Sequence, residues 1–204
     1  MQQTMRGRNE ATRNFLRLMQ RIRVPLGFLV IPTMFILAHP SYGSMLVGVV
    51  ISSAGLAMRA WASGYLRKNE KLATSGPYSY TRNPLYLGTL ALGAGAAICT
   101  GNIWLVVLFA ALYSVVYLPV MAAEVDTMRT KFPAEYGDYS RHVPLLLPRF
   151  WAAYRPTQNP ANSAEPGAAG HFDVALYLRN REYRAGIGFV VVTGLLVLKM
   201  ALLK

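Results

Sequence analysis

Apolar runs that reach or approach the roughly 20 residues needed to cross a bilayer as a helix recur through this chain. They fall at about residues 44–65, 85–99, 103–122 and 183–203, with a shorter one at 24–37. A spanning segment must satisfy its own backbone hydrogen bonds, which restricts such runs to helices. Only 15% of the 204 residues are charged, and 53% are hydrophobic. The polar segments between the runs are too short for a large soluble core. The expected fold is therefore all-α: a polytopic membrane helical bundle of about five transmembrane helices, forming one integral membrane domain over residues 1–204.

The placement of charge orients that bundle. Arg and Lys crowd the N-terminal tail (Arg6, Arg8, Arg13, Arg17, Arg21, Arg23), the segment around Arg67, Lys68, Lys71 and Arg82, and the stretch from Arg129 to Arg184. They are absent from the connections at 40–44 and 100–102. This is the positive-inside pattern, and it places the N-terminus in the cytoplasm and the C-terminus outside. A net charge of +12 distributed this way suits anionic lipid headgroups, so no nucleic acid is expected as a partner. The partner is the lipid bilayer.

The remaining segments read as follows. Residues 1–23 form an amphipathic interfacial helix, with Phe15, Leu16, Leu18, Met19 and Ile22 on one face. They are polar and basic, unlike a cleavable signal peptide. Residues 24–122 hold four spans, and 123–154 a polar C-terminal segment that belongs to the candidate catalytic part, helix-like in the first half of Glu124 to Arg149 and with Pro144 and Pro148 near its end. Residues 155–182 are a Pro-, Ala-, Asn- and Gly-rich linker with a short interfacial helix at 171–182, and 183–204 is the fifth span. Cys99 is the only cysteine, so neither an internal disulfide nor a thiol-based metal site can form. His39, His142 and His171 lack metal-ligand spacing, and no metal is expected. Gly93-Ala94-Gly95 has no strand before it and reads as close helix packing, not a nucleotide fingerprint.

Three features carry chemistry. The first is the block Gly76-Pro77-Tyr78-x-Tyr80-x-Arg82-Asn83-Pro84-x-Tyr86-x-Gly88, set between two apolar runs. Gly-Pro marks a turn, Asn before Pro favours an extended residue, and Pro84 suits the first turn of the next helix. Irregular backbone at membrane depth is tolerated where it lines a cavity, and tyrosine rings there can hold a nucleoside or a sulfonium cation. The same block also reads as an interfacial aromatic belt with a turn. The second feature is Glu124-x-Asp126, followed by Phe132, Tyr136, Tyr139 and Val143-Pro144. Glu124 closes the fourth run, where an acid can meet Arg82, a ligand amine or a ribose hydroxyl. It also reads as a solvated juxtamembrane acid. The third is Arg59, inside the second run. It must snorkel or pair, with Glu124 or Asp126 as candidate partners.

In this order, separated by a helical hairpin, the two blocks resemble the isoprenylcysteine carboxyl methyltransferases and the related membrane phospholipid methyltransferases over residues 55–148. That family's pattern is Gly-x-Tyr-x-x-x-Arg-His-Pro-x-Tyr-x-Gly, then Glu-Glu, then Phe-Gly-x-x-Tyr-x-x-Tyr and Val-Pro. The resemblance implies S-adenosyl-L-methionine as methyl donor, leaving S-adenosyl-L-homocysteine. It implies a cytoplasmic-side cofactor pocket and a lipophilic methyl acceptor that enters from the bilayer. Cofactor binding would fall to Lys71, Leu72, Ala73, Tyr78, Asn83, Pro84, Leu85, Tyr86 and Glu124. Arg59, Arg82 and Glu124 would form the catalytic set, the arginines orienting the acceptor or bracing the acid. The chain departs from the pattern at Asn83 (His in the family), Val125 (the second Glu), Pro133 (Gly) and Val120 (an Arg of the carboxyl-methylating members). Asn83 removes any titrating group near neutral pH, and Val120 weakens the case for a prenylcysteine carboxylate as acceptor. A membrane reductase with a nicotinamide cofactor and a non-catalytic lipid-binding protein are the alternative readings.

Overall fold

The computed structural model describes residues 32–67, 71–149, 153–154 and 171–202. The expected interfacial helix at 1–23, the linker core at 155–170 and most of the first span lie outside them. Residues 32–37 are helical. Helix α1 (Tyr42–Ser63) follows, then a short 3-10 turn (Gly76–Ser79), α2 (Pro84–Cys99), α3 (Ile103–Lys131), α4 (Pro133–His142), α5 (Val174–Asn180) and α6 (Tyr183–Leu202). The described residues are all helix and connection.

Each boundary has a local cause. Ser41 caps α1 reciprocally with Ser44: the Ser44 amide donates to Ser41 Oγ at 3.2 Å, and the Ser41 amide to Ser44 Oγ at 3.0 Å. Gly101, at φ 67°, makes the tight turn from α2 to α3, and Asn102 Oδ1 accepts from the Trp104 amide at 3.0 Å. Phe132, outside the helical region at φ −130° and ψ 60°, separates α3 from α4. Asp173 Oδ1 caps α5 through the Ala175 amide at 2.8 Å.

Among the described residues three helices, α1, α3 and α6, are long and apolar enough to cross a membrane. Helix α2 has 16 residues, or about 24 Å, less than the roughly 30 Å hydrocarbon core. The fourth span and the helix-like start of the polar segment beyond it are one helix, α3. Its 29 residues extend about 44 Å, so Glu124 rides on a continuous helix that runs past the apolar segment.

The tightest contact is between α1 and α2. Gly48, Ser52 and Gly55 face Gly88, Leu92 and Gly95. A Cβ on Gly55 would stand 2.4 Å from the Leu92 nitrogen and 2.7 Å from the Gly88 carbonyl oxygen. Ser52 Oγ donates to the Leu92 carbonyl at 3.0 Å. Small residues allow this approach where lipid supplies no hydrophobic drive between helices. Helix α6 flanks the pair, and Leu196 packs with Ala38, Met45 and Cys99. Near the same end, Lys199 Nζ donates to the carbonyls of Phe35 and Ile36, at 2.6 and 3.0 Å, satisfying the open end of the 32–37 helix. The opposite end gathers the last turns of α1 and α3 with the first turns of α2 and α6. The candidate site lies there.

Candidate functional site

The two sequence blocks are joined backbone to backbone. The Arg82 amide donates to the Pro144 carbonyl at 2.9 Å, the Arg149 amide to the Tyr80 carbonyl at 3.0 Å, and the Tyr154 amide to the Ser79 carbonyl at 3.0 Å. Side chains complete the seam. Thr81 Oγ1 donates to the Leu146 carbonyl at 2.9 Å, and Asn83 Nδ2 to the Leu145 carbonyl at 2.9 Å. Tyr139 Oη donates to the Tyr78 carbonyl at 2.7 Å. Pro144 and Pro148 hold the tail extended, because neither can enter a helix interior. The tail's carbonyls thereby satisfy a turn-rich loop whose buried polar groups need partners.

Beneath the seam lies a cavity of about 390 Å³, within the range of small-molecule sites. Lys71, Leu72, Ala73, Tyr78, Arg82, Asn83, Pro84, Leu85, Tyr86 and Glu124 all line it. The loop before α2 and the acid on α3 thus converge. Helix α3 contributes one face at helical spacing, with Met121, Glu124, Val125, Met128, Lys131 and Phe132. Tyr136 and Tyr139 of α4 close the far side. Arg67, Met121, Met128 and Lys131 also line the cavity, although the sequence motifs do not single them out for it. Continued at i, i+3, i+4 and i+7, the pattern would have found the α3 members.

The polar groups differ in their commitments. Arg82 Nη1 donates to Tyr136 Oη at 3.0 Å, with its guanidinium 5.9 Å from that ring's centroid. Its Nε is buried with no partner among the described residues. Glu124, half-buried, makes no hydrogen bond or ion pair among the described residues. One of the two side-chain N–H donors of Asn83 is committed to Leu145, so Asn83 braces the seam as well as lining the cavity. Tyr86 packs edge-on against Tyr117 at 5.7 Å, and Tyr117 stacks on Tyr113 at 4.5 Å.

Arg59 corrects an expectation. Its partner is neither Glu124 nor Asp126 but Glu182, 2.6 Å from Nη2, and it also donates to Thr89 Oγ1. It is not among the residues lining the cavity. The pairing joins α1 to the start of α6, which sequence spacing does not reveal.

Tyr78 is 6% exposed. Burial, then the neighbouring Tyr139 and Glu124, pushes its phenol well above the usual tyrosine range. Burial does the same to Tyr139, with Arg82 opposing. Both rings are neutral at physiological pH. Tyr154 donates to Asp138 at 2.8 Å. Partial burial, then that bond, pushes its pKa up to about 12. A folded-state value above the unfolded one, near 10, means a contribution present below pH 10 and lost as pH rises through 12. Denaturant titrations should show the Tyr154→Phe variant losing less stability than wild type between pH 10 and 12. Equal losses would show that this bond does not survive in solution.

The arrangement can hold a ligand with a planar ring, hydroxyls and charges of both signs against a mainly apolar wall. The model of the phospholipid methyltransferase family matches residues 33–135, half of the chain, and the chain belongs to that family. It is 33% identical over 106 residues to the nickel-cobalt-cadmium resistance protein NccN of Alcaligenes xylosoxydans xylosoxydans, covering 51% of this chain and 48% of that protein. It is 36% identical over 110 residues to the cobalt-zinc-cadmium resistance protein CzcN of Cupriavidus metallidurans, covering 51% and 47%. The matched part therefore spans about half the length of these relatives. No solved structure matches.

Proposed function

We propose that this protein is an integral membrane methyltransferase that uses S-adenosylmethionine to methylate a lipophilic acceptor. The observation that carries the reading is the single cavity in which the Tyr78–Tyr86 loop meets Glu124. S-adenosylmethionine, when bound, supplies a methyl group on a sulfonium that departs as a neutral thioether. The residues present fit it. Glu124, with no hydrogen bond or ion pair among the described residues, would accept from ribose hydroxyls or an amine. Tyr78, Tyr86 and Tyr136 offer ring faces to a cation. Arg82, with its orphaned Nε, and Lys71 offer donors to a carboxylate. Transfer to a carboxylate or a free amine needs approach and exclusion of water more than proton transfer. The seam would shield one side of the cavity from water, and the buried phenols stay neutral.

The reading includes an orientation. Among the described residues, Arg67, Lys71, Arg82, Arg129, Lys131, Arg141, Arg149, Arg179, Arg181 and Arg184 belong to the segments at the cavity end, and Lys199 belongs to the other. The positive-inside rule then sets the cavity toward the cytoplasm and the C-terminus outside. The relatives' names speak of metal resistance. Among the described residues no three His, Cys, Asp or Glu cluster as a metal site.

Membranes containing the protein, incubated with methyl-labelled S-adenosylmethionine, should transfer label to the lipid extract. Label in neither lipid nor protein, despite cofactor binding, would favour a non-catalytic lipid-binding protein. A thermal shift with nicotinamide cofactor and none with S-adenosylhomocysteine would make it a reductase.

A further inference from the structure

We infer that Glu182 is a positioning residue for the cavity, acting through Arg59 and Thr89 on the first turn of α2. Glu182 lies in the C-terminal region, beyond the 33–135 family match. The ligand in the test below rests on the methyltransferase reading; the fixing of the cavity wall does not.

The connection is a chain of polar contacts. Glu182 Oε2 lies 2.6 Å from Arg59 Nη2, with the two side chains 13% and 21% exposed. Arg59 Nη1 donates to Thr89 Oγ1. Thr89 Oγ1 in turn donates to the Leu85 carbonyl at 2.8 Å. Leu85 lines the cavity between Pro84 and Tyr86. The Arg59 Nε is buried with no partner among the described residues. Glu182 is thus the acid that compensates a cation at the end of α1, and removing one member of such a pair strands the other. The stranded guanidinium would turn toward water and release Thr89.

A second tether acts near another lining residue. Asn180 Nδ2 donates to the Ser63 carbonyl at 3.0 Å, and the Asp173 amide to the Gly64 carbonyl at 3.0 Å. These bonds hold the end of α1 just before Leu66, another lining residue. The turn that delivers Glu182 runs through Arg181 in the left-handed region at φ 56°. The start of α6 is therefore built to meet Arg59, while the rest of that helix packs lightly.

The test uses the full chain purified in detergent, with Glu182→Gln, Glu182→Asp and Leu196→Ala. Leu196 packs at the far end of the same helix, so its truncation lowers thermal stability without touching the polar chain. Glu182→Gln should raise amide exchange over residues 85–89 in the ligand-free protein and weaken S-adenosylhomocysteine binding about fivefold. Glu182→Asp should recover part of both. Leu196→Ala should lower the melting temperature at least as much and leave both readouts at wild-type values. Wild-type exchange and affinity in Glu182→Gln would overturn the inference, as would equal changes in Leu196→Ala. If wild type binds no S-adenosylhomocysteine, the methyltransferase reading falls and the exchange arm alone decides the role of Glu182.

Discussion

Replacing Glu124 by alanine should weaken S-adenosylhomocysteine binding at least tenfold while leaving the fold intact. The two halves of that expectation have one origin. Glu124 makes no hydrogen bond or ion pair among the described residues, so truncation removes little that stabilises the protein. Substitutions away from structural contacts shift stability by about 0.5 kcal/mol or less. Hydrogen bonds from a ligand to a charged group are worth about 1.5–3 kcal/mol, and 1.4 kcal/mol is a factor of ten in affinity. Asp126 is the internal control. It is exposed, two residues further along α3 and so about 200° around the helix. Calorimetry should find Asp126→Ala binding as wild type does. Unchanged affinity in Glu124→Ala would remove Glu124 from the site.

Gly55→Val should abolish accumulation of folded protein. The new Cβ meets backbone, not a flexible side chain: the Leu92 nitrogen at 2.4 Å and the Gly88 oxygen at 2.7 Å. Neither can move without separating α1 from α2. Separation also breaks the Ser52–Leu92 hydrogen bond and shifts Gly88 and Pro84 with their helix. Overpacking typically costs 1–3 kcal/mol, and rigid backbone on the receiving side places this case at about 3 kcal/mol or more. Gly186→Val on α6 is the matched control, since nothing lies within 4 Å of its Cβ position. Size-exclusion profiles should show monodisperse Gly186→Val and aggregated Gly55→Val. A monodisperse, ligand-binding Gly55→Val would mean that the α1–α2 contact is looser than described.

Much of this architecture was written in the sequence because lipid imposes a simple rule. Helices α1, α2, α3 and α6 begin within a few residues of the ends of the apolar runs. Ser41, Pro84 and Gly101-Asn102 act where their local chemistry puts them. The convergence of the two motif blocks was legible through the family resemblance. Three things were not. The change from apolar to charged residues at Glu124 separates a span from a polar segment in the sequence, but it does not show that one unbroken helix carries both; hydrogen bonding does not stop where hydropathy does. The partner of Arg59 lies 123 residues away, and no spacing rule connects an arginine at the end of one helix to an acid at the start of another. The role of Asn83 depends on the carbonyl of Leu145, whose position is set by Pro144 and Pro148. Tertiary pairing of two irregular segments leaves no periodicity to read.

The account stands or falls on where an adenosyl ligand sits. A structure of the protein with S-adenosylhomocysteine should show the nucleoside in the cavity between Tyr86 and Glu124, under the seam formed by residues 79–83 with 144–149 and Tyr154. Density for the ligand elsewhere, with that cavity empty, would contradict it.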